Sequence, residues 1–488
     1  MIIKKPEKER KGWRPRPVEP DAVRCLARRH GLALPIAALL WQRGVEEGEV
    51  TGFLQPGLRQ LPDPGTMRGM AQAVALLADA VQQERPITVY GDYDADGVTA
   101  AAVLVCFFRA LGVPVRVVQP DRLQHGYGLH PDLVRQIGEG RGRNGVLVTV
   151  DCGVSDREAV ALARSLGLDV IVTDHHQPPA ELPPASAILN PLQPGCAFPE
   201  KHLAGVGIAF YLAVGLRREL RQRNNGFAEP NLKELLDLVA VGTVADMVPL
   251  TGANRILARI GLGVLRQTSR PGLAALARAC GLEAGAPVSA EDIAFRLGPR
   301  LNAAGRMDSA RAALELLLCD RADEAERLAA ALEDHNQERR QTTEAVVAEA
   351  VRQVSDPTAA VVVAGTGWHQ GVLGIVASRL VERFGQPAVV LSLPEETGEP
   401  VRGSARSVPG FNLYRALAGC RDVLLRFGGH EQAAGLALAA ERIDEFRNRF
   451  QEVVRAAGIG EEAALEVDLV LDGRELGQPE FLDQYRLL

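Results

Sequence analysis

Hydrophobic and polar positions alternate along the chain with two different periods. Residues 1–80 read as a helical lead-in broken by prolines, ending in an amphipathic stretch from Met67 to Gln83. From there short β runs alternate with helical ones. Ile87–Tyr90 and Val146–Val150 read as strands, Val113–Gln119 is β-branched, and Val170–Thr173 and Ala187–Leu189 follow. Between them lie helical runs at Val98–Ala110 (opened by Gly97), at Pro131–Gly138, and from a Ser155 cap to Leu166. Strand–helix alternation at this spacing predicts an α/β fold, a parallel sheet flanked by helices on both faces. A largely helical region runs from Val206 to about Arg352, its charged end from Arg321 forming one long or two broken exposed helices. A smaller α/β block follows, with strands at Ala359–Ala364, Ala388–Leu393 and Arg402–Ser407 and helices at Gly371–Phe384 and Arg442–Ala457. Leu465–Leu471 starts a new strand, and the sequence stops before that element could build a core.

Composition narrows the class. At ~100–200 residues per domain, 488 residues suggest two to four domains. With 47% hydrophobic and 24% charged residues, a disordered tail, a fibre and a small disulfide scaffold are excluded. The seven cysteines form no C-x-x-C pair, which argues against a zinc ribbon and fits reduced thiols. The uncharged run Leu203–Leu216 has 14 residues, short of the ~20 that span a bilayer. The N-terminal MIIKKPEKERKGW has no apolar export core, so a cytoplasmic location without membrane association is expected. Net charge is −6, yet residues 1–30 hold ten Lys/Arg against four Asp/Glu, and only six of the 55 basic residues are lysine. Arginine's planar fork suits phosphate, although compositional bias is the better account of the excess.

The chemistry lies where the acids sit. In an open parallel sheet, ligands bind beyond the carboxyl ends of the strands. Ile87–Tyr90 runs into Gly91-Asp92-Tyr93-Asp94-Ala95-Asp96-Gly97, Val146–Val150 ends in Asp151-Cys152-Gly153, and Val170–Thr173 ends in Asp174-His175-His176. The apolar run Val239–Val248 places Asp246 in what reads as a fourth strand end. Converging carboxylates repel one another unless a cation lies between them. Carboxylate and imidazole together suit Mn²⁺ or Mg²⁺. Two such ions ~3.5–4 Å apart, bridged by one carboxylate, are the usual machinery for phosphate-ester hydrolysis. Taken singly, these acids are ordinary loop or cap residues; together at strand ends they point to metal.

These segments carry a resemblance. D-Y-D-A-D-G, D-C-G, D-H-H and A-D-M-V-P-L resemble the DHH phosphoesterase superfamily. GDYDADGVTA (91–100), PDRLQHGYGL (120–129), VTDHH (172–176) and GPRLNAAGRM (298–307) are similar to the RecJ family of single-strand-specific 5′→3′ exonucleases. GWHQGVLGIVASRL (367–380), GSARS (403–407) and GGHEQAAG (428–435) are similar to that family's DHHA1 domain. The resemblance covers roughly residues 85–460, with the motifs in the family's order.

It implies roles. Asp94 and Asp96 would each hold one of two ions (Mn²⁺ or Mg²⁺), Asp151 would bridge them, and His175 and Asp246 would complete the second. His176 would contact the scissile phosphate, Asp174 would orient a histidine, and Asp92 would be a ligand or stand just behind one. Arg300, Asn302 and Arg306 would contact phosphate or support the ligands, with arginines pinning a helix end as the plain alternative. Ser404 and Arg406, on an expected edge strand, would take a terminal phosphate, and Arg122 is a weaker candidate for that task. His430 beside Gly428 and Gly429 offers close approach to DNA, or is a core histidine. His369, next to Trp368, precedes a helix start that suits an anion, or serves as its cap. One departure is Tyr90, where superfamily members often carry a histidine; it is a poor metal ligand, so one ion would be held less tightly or carry more water.

The implied organisation is a lead-in (1–83), a DHH domain (84–265), a helical connector (266–356), a DHHA1 domain (357–460) and the start of an incomplete OB-fold (461–488). A cleft between the two named domains would admit one DNA strand and not a duplex. The implied process is DNA repair and recombination, with a helicase and a single-strand-binding protein as partners. Two rivals stand beside this reading: a phosphodiesterase for short oligonucleotides or cyclic dinucleotides, and a non-catalytic scaffold. The ~80 residues ahead of the first motif and GPRLNAAGRM weigh against the first rival; the intact ligands weigh against the second.

Overall fold

The computed structural model of the chain describes residues 13–122, 124–139, 144–223, 226–307, 309–354, 359–396, 398–457, 465–471 and 479–488. They fall into two compact units, a larger one (Leu58–Ala348 with His369–Val372) and a smaller one (Met1–Gly57, Glu349–Trp368 and Leu373–Leu488).

The first element of the described residues is β1 (Trp13–Pro15), which belongs to the smaller unit. The larger unit is built on β2 (Ile87–Gly91), β3 (Val115–Val118), β4 (Val146–Val150), β5 (Asp169–Thr173) and β6 (Ala187–Leu189). They form one all-parallel sheet in the order β3-β2-β4-β5-β6. Every residue of β2 and β4 is buried, as a sheet covered on both faces requires. Period-two alternation sorts them. Ile87, Val89, Val146, Val148 and Val150 join one core, shared with helices Ala95–Ala110, Gly205–Gln222 and Leu236–Ala245. Tyr90, Leu147, Val170 and Val172 face the opposite way, onto helices Pro131–Gly138 and Arg157–Ser165. The first core continues without a break beyond residue 265, taking in Leu273, Leu276, Leu297 and Leu301.

Two local expectations change and a third is decided between its alternatives. The apolar run ending in Asp246 is a helix, Leu236–Ala245, and not a strand. It is buried on all sides, and such a run shows no periodicity that separates helix from strand. The helix expected to be capped by Ser155 is Arg157–Ser165, entered from Asp156. The charged stretch is one continuous helix, Ala322–Gln353.

In the smaller unit, β7 (Val361–Thr366), β8 (Ala388–Leu393), β9 (Val401–Arg406), β10 (Arg426–Gly429) and β11 (Ala433–Leu438) form a mixed sheet in the order β10-β11-β9-β8-β7. Within this sheet, among the described residues, only β7 and β8 pair in parallel. β9, the GSARS strand, therefore lies at the centre of the sheet and not at its edge. The hairpin β10–β11 that covers it was missed because its glycines and alanines give no strand signal. In the segment expected to open an OB-fold, 461–464 and 472–478 lie outside the described residues. Its described strand, β12 (Leu465–Val467), pairs in parallel with β1, and a helix, Pro479–Tyr485, follows. Phe481, Leu469 and Leu471 share a core with Val23, Leu26, Ile36 and Leu40. Among the described residues, no helix is long and apolar enough to cross a membrane.

Candidate metal centre

The strand order reverses direction between β2 and β4, and the sheet opens a crevice at such a switch point. The ladder carries the acids there side by side. Asp92 N–H donates to Val150 O (3.3 Å), Asp151 N–H to Thr173 O (2.9 Å) and Asp174 N–H to Leu189 O (3.0 Å). Asp151 leaves β4 at φ 61, a left-handed conformation unusual for a residue with a Cβ and a form of strain found at functional sites.

Among the described residues three groups of ligand atoms result, each within 4.8 Å: Asp92, Asp94 and Asp151; Asp96, His175 and Asp246; Asp151, His175 and His176. His175 Nε2 lies 3.1 Å from Asp151 Oδ1, 3.6 Å from Asp246 Oδ2 and 3.9 Å from Asp96 Oδ2. Asp151 Oδ1, His175 Nε2, Asp246 Oδ2 and Asp92 Oδ1 are buried and have no hydrogen-bond partner among the described residues. Four orphaned ligand atoms converging in one place are costly unless a cation satisfies them. The donor set, carboxylates with one or two imidazoles, fits Mn²⁺ or Mg²⁺.

Electrostatics agree. Burial, with Asp94 adding to it, pushes Asp96 up to about 7. Burial and then Asp96 push Asp246 up to about 9. Asp92 and Asp151 are raised well above the usual carboxylate range, by burial first and then by neighbouring acids. Burial lowers His175 to about 4, so its imidazole is neutral and able to ligate. A site so hostile to its own ionised carboxylates is one that positive charge would stabilise.

Around the ligands stand their supports. Asp96 accepts from Gly205 N–H (2.7 Å) and Val206 N–H (2.8 Å), at the start of the helix Gly205–Gln222. Asp94 caps the helix Ala95–Ala110 by accepting from Gly97 N–H (3.0 Å), and Asn302 Oδ1 accepts from Ala95 N–H (2.7 Å). Asp174 accepts from Val154 N–H and His176 N–H, and lies 2.8 Å from His176 Nδ1. Burial opposes a proton on His176, but that bond together with the charges of Asp174, Asp94 and Asp92 holds the imidazole above its ordinary value.

The remaining predicted residues divide. Arg122 lies over the Tyr93 ring (5.1 Å) and acts electrostatically on Asp92 and Arg306. Arg306 is half-buried, and its guanidinium is lowered to about 10 by desolvation, then by Arg122 and Arg339. It donates to Gly371 O (3.4 Å). Arg300 is ion-paired with Glu333 and donates to Arg296 O, the helix-pinning alternative. Tyr90 donates to Gly128 O (2.9 Å) from inside the sheet core and is not among the gathered ligand groups. Ser404, Arg406, Gly429 and His430 belong to the smaller unit. There, Arg406 Nη1 donates to Ser404 Oγ (3.3 Å), and a Cβ on Gly374 would lie 2.8 Å from Arg406 Nη2. His430 is exposed at the β10–β11 turn and donates its N–H to Ala433 O. His369 Nδ1 accepts from Gly371 N–H (3.1 Å), the capping alternative. Sequence reasoning missed Gly205 and Tyr127. The second had a signal, an aromatic between two glycines in HGYG.

Parallel strands of order β3-β2-β4-β5-β6 with an Asp/His cluster at the switch point define a DHH-type fold, here followed by a second α/β unit. The DHH family, N-terminal domain, matches residues 86–243, and the DHHA1 domain matches residues 356–456. The single-stranded-DNA-specific exonuclease RecJ of Bacillus subtilis (strain 168) is 43% identical over 446 residues, covering 90% of this chain and 55% of that protein. RecJ of Dickeya dadantii (strain 3937) is 43% identical over 452 residues, covering 89% of this chain and 76% of that protein. The chain belongs to the RecJ family. The chain thus spans about half of one curated relative and three quarters of the other. Crystal structures of RecJ from Thermus thermophilus align with it in complex with Mn²⁺ (TM-score 0.83, 34% identity, 98% of this chain, 67% of that chain) and with Mg²⁺ (TM-score 0.76, 33% identity, 98% and 65%).

Proposed function

We propose that the chain is a metal-dependent exonuclease that hydrolyses single-stranded DNA from its 5′ end, in DNA repair and recombination. The observation that carries this reading is the set of four buried, unpartnered ligand atoms on Asp92, Asp151, His175 and Asp246. The family and the metals named for its Thermus member support it.

When bound, two Mn²⁺ or Mg²⁺ ions would supply a Lewis acid for the phosphoryl oxygens and a hydroxide nucleophile near neutral pH. Asp96, His175 and Asp246 would hold one, Asp92 and Asp94 the other, and Asp151, common to two of the ligand groups, would serve both. His176, its Nδ1 engaged by Asp174, keeps Nε2 for the scissile phosphate. Arg122 and Arg306 offset the charge of the strand near the ligands, with Asn302 holding the Asp94 loop. Ser404, Arg406, Gly429 and His430 are assigned to the strand's 5′-phosphate and backbone. A helicase and a single-strand-binding protein would deliver unpaired DNA.

Digestion of 5′- and 3′-labelled single strands with Mn²⁺, Mg²⁺ or EDTA tests this. Nucleotides should leave from the 5′ end with either ion and not with EDTA. Cutting from the 3′ end, or in EDTA, would refute it. A ladder on long strands separates it from a phosphodiesterase confined to dinucleotides.

A further inference from the structure

The loop between β3 and helix Pro131–Gly138 is built to present one side chain. Tyr127 stands between Gly126 (φ 84) and Gly128 (φ 100), both left-handed. On its upstream side His125 N–H donates to Asp121 O (2.8 Å) and Gly126 N–H to Arg122 O (3.1 Å). Asp121 N–H donates in turn to His125 Nδ1 (3.1 Å). On its downstream side Leu129 N–H donates to Asp156 Oδ2 (2.7 Å), and Tyr90 Oη donates to Gly128 O (2.9 Å). A Cβ on Gly128 would fall 2.8 Å from either Asp156 carboxylate oxygen, so the backbone closes onto that acid. Tyr90, standing where relatives of the superfamily often have a histidine, thus buttresses the loop that carries Tyr127.

The Tyr127 hydroxyl lies 2.9 Å from His176 Nδ1 and 3.3 Å from the Asp151 carbonyl oxygen. The same Nδ1 lies 2.8 Å from Asp174 Oδ1. Counting protons orders these contacts. Nδ1 carries one hydrogen, which Asp174 and the tyrosine oxygen share, and the tyrosine O–H is then free to donate to the Asp151 carbonyl. The two rings also meet edge to face, with centroids 5.2 Å apart.

We propose that Tyr127 is a positioning residue for phosphodiester hydrolysis, tying the His176 imidazole to the backbone of Asp151. The proposal rests on the function proposed above. Asp174 fixes which nitrogen of His176 carries the proton, and Tyr127 fixes the plane and direction of the ring relative to the shared ligand Asp151. Neither contact uses the Asp151 carboxylate or the His175 imidazole.

Tyr127→Phe keeps the ring and removes the tie. On a 5′-phosphorylated single strand with Mn²⁺, kcat should fall about 10–100-fold, the usual effect of losing a partner behind a reacting or ligating group. KM and calorimetric Mn²⁺ affinity should stay within about twofold of wild type. In the ¹⁵N spectrum of the Mg²⁺-loaded protein, His176 should keep the tautomer that Asp174 fixes, while its Nδ1 resonance shifts and broadens as the ring loses its second tie. In a His176→Gln background the same substitution should cost nothing further. A kcat within about twofold of wild type, full additivity with His176→Gln, or loss confined to Mn²⁺ affinity would each overturn the proposal. If wild type degrades no strand with any ion, the exonuclease reading fails by itself. The His176 spectrum then still decides whether Tyr127 fixes the ring.

Discussion

Gly205 lies directly against the acids of the metal centre. A Cβ built on it would fall 2.8 Å from Asp151 Oδ1 and 2.9 Å from Asp96 Oδ2, while its own N–H donates to that Asp96 oxygen at 2.7 Å. The start of the helix Gly205–Gln222 therefore touches both carboxylates, and only a residue without a side chain fits. Gly205→Ala should weaken Mn²⁺ binding by about tenfold or more, as disturbing ligand supports does. The far-UV circular dichroism should be unchanged. Wild-type Mn²⁺ affinity in this variant would show that the acids have room to move.

Asp151→Asn removes charge and keeps volume at the one carboxylate shared by two ligand groups. Strand hydrolysis should fall by several orders of magnitude with the fold intact. Activity within tenfold of wild type, only ~1.4 kcal/mol of barrier, would be incompatible with a bridging role.

The metal-free protein should lose stability as pH rises above neutrality. Asp96 at about 7, Asp246 at about 9, and Asp92 and Asp151, both raised well above the usual carboxylate range, bind protons in the folded state that the unfolded chain has released. Their stabilisation is complete below the ordinary carboxylate range and is lost as pH climbs through the raised values. His175, lowered to about 4, acts in the opposite sense, but its contribution is already complete once pH exceeds its ordinary value near 6.5. From about pH 6.5 to 9 only the downward trend remains. Tm of the EDTA-treated protein should fall across that window, and Mn²⁺ should raise Tm more at pH 9 than at 6.5. A flat or rising Tm in EDTA would contradict the assignment.

Arg406 and Ser404 approach each other on the central strand β9, beside Gly374. Arg406→Ala should weaken binding of 5′-phosphorylated strands by ~1.5–3 kcal/mol, the range for hydrogen bonds to a charged group. The 5′-hydroxyl strand should lose less and metal affinity should not change. Equal losses on both strands would make Arg406 a general backbone contact and leave Arg122 as the better candidate for the terminal phosphate.

Local pattern determined the parallel strands, because β2, β4 and β5 are short, apolar and bounded by turns, and it placed Asp92, Asp94, Asp151 and the Asp174-His175-His176 run at their ends. The chemistry of the centre was legible for the same reason: acids that follow directly on parallel neighbouring strands must share an edge. Asp246 was found but put on the wrong kind of element, since the run before it is buried on every side and has no face for periodicity to reveal. The central position of β9 was hidden because its partner hairpin is rich in glycine and alanine, whose strand preference comes only from pairing. What tertiary structure alone decided are contacts between residues far apart in sequence. Gly205 meets Asp96 across 109 positions, and Tyr127 meets His176 across 49. No local propensity encodes such distances; they arise when helices close over the sheet and leave four ligand atoms facing one another without a partner.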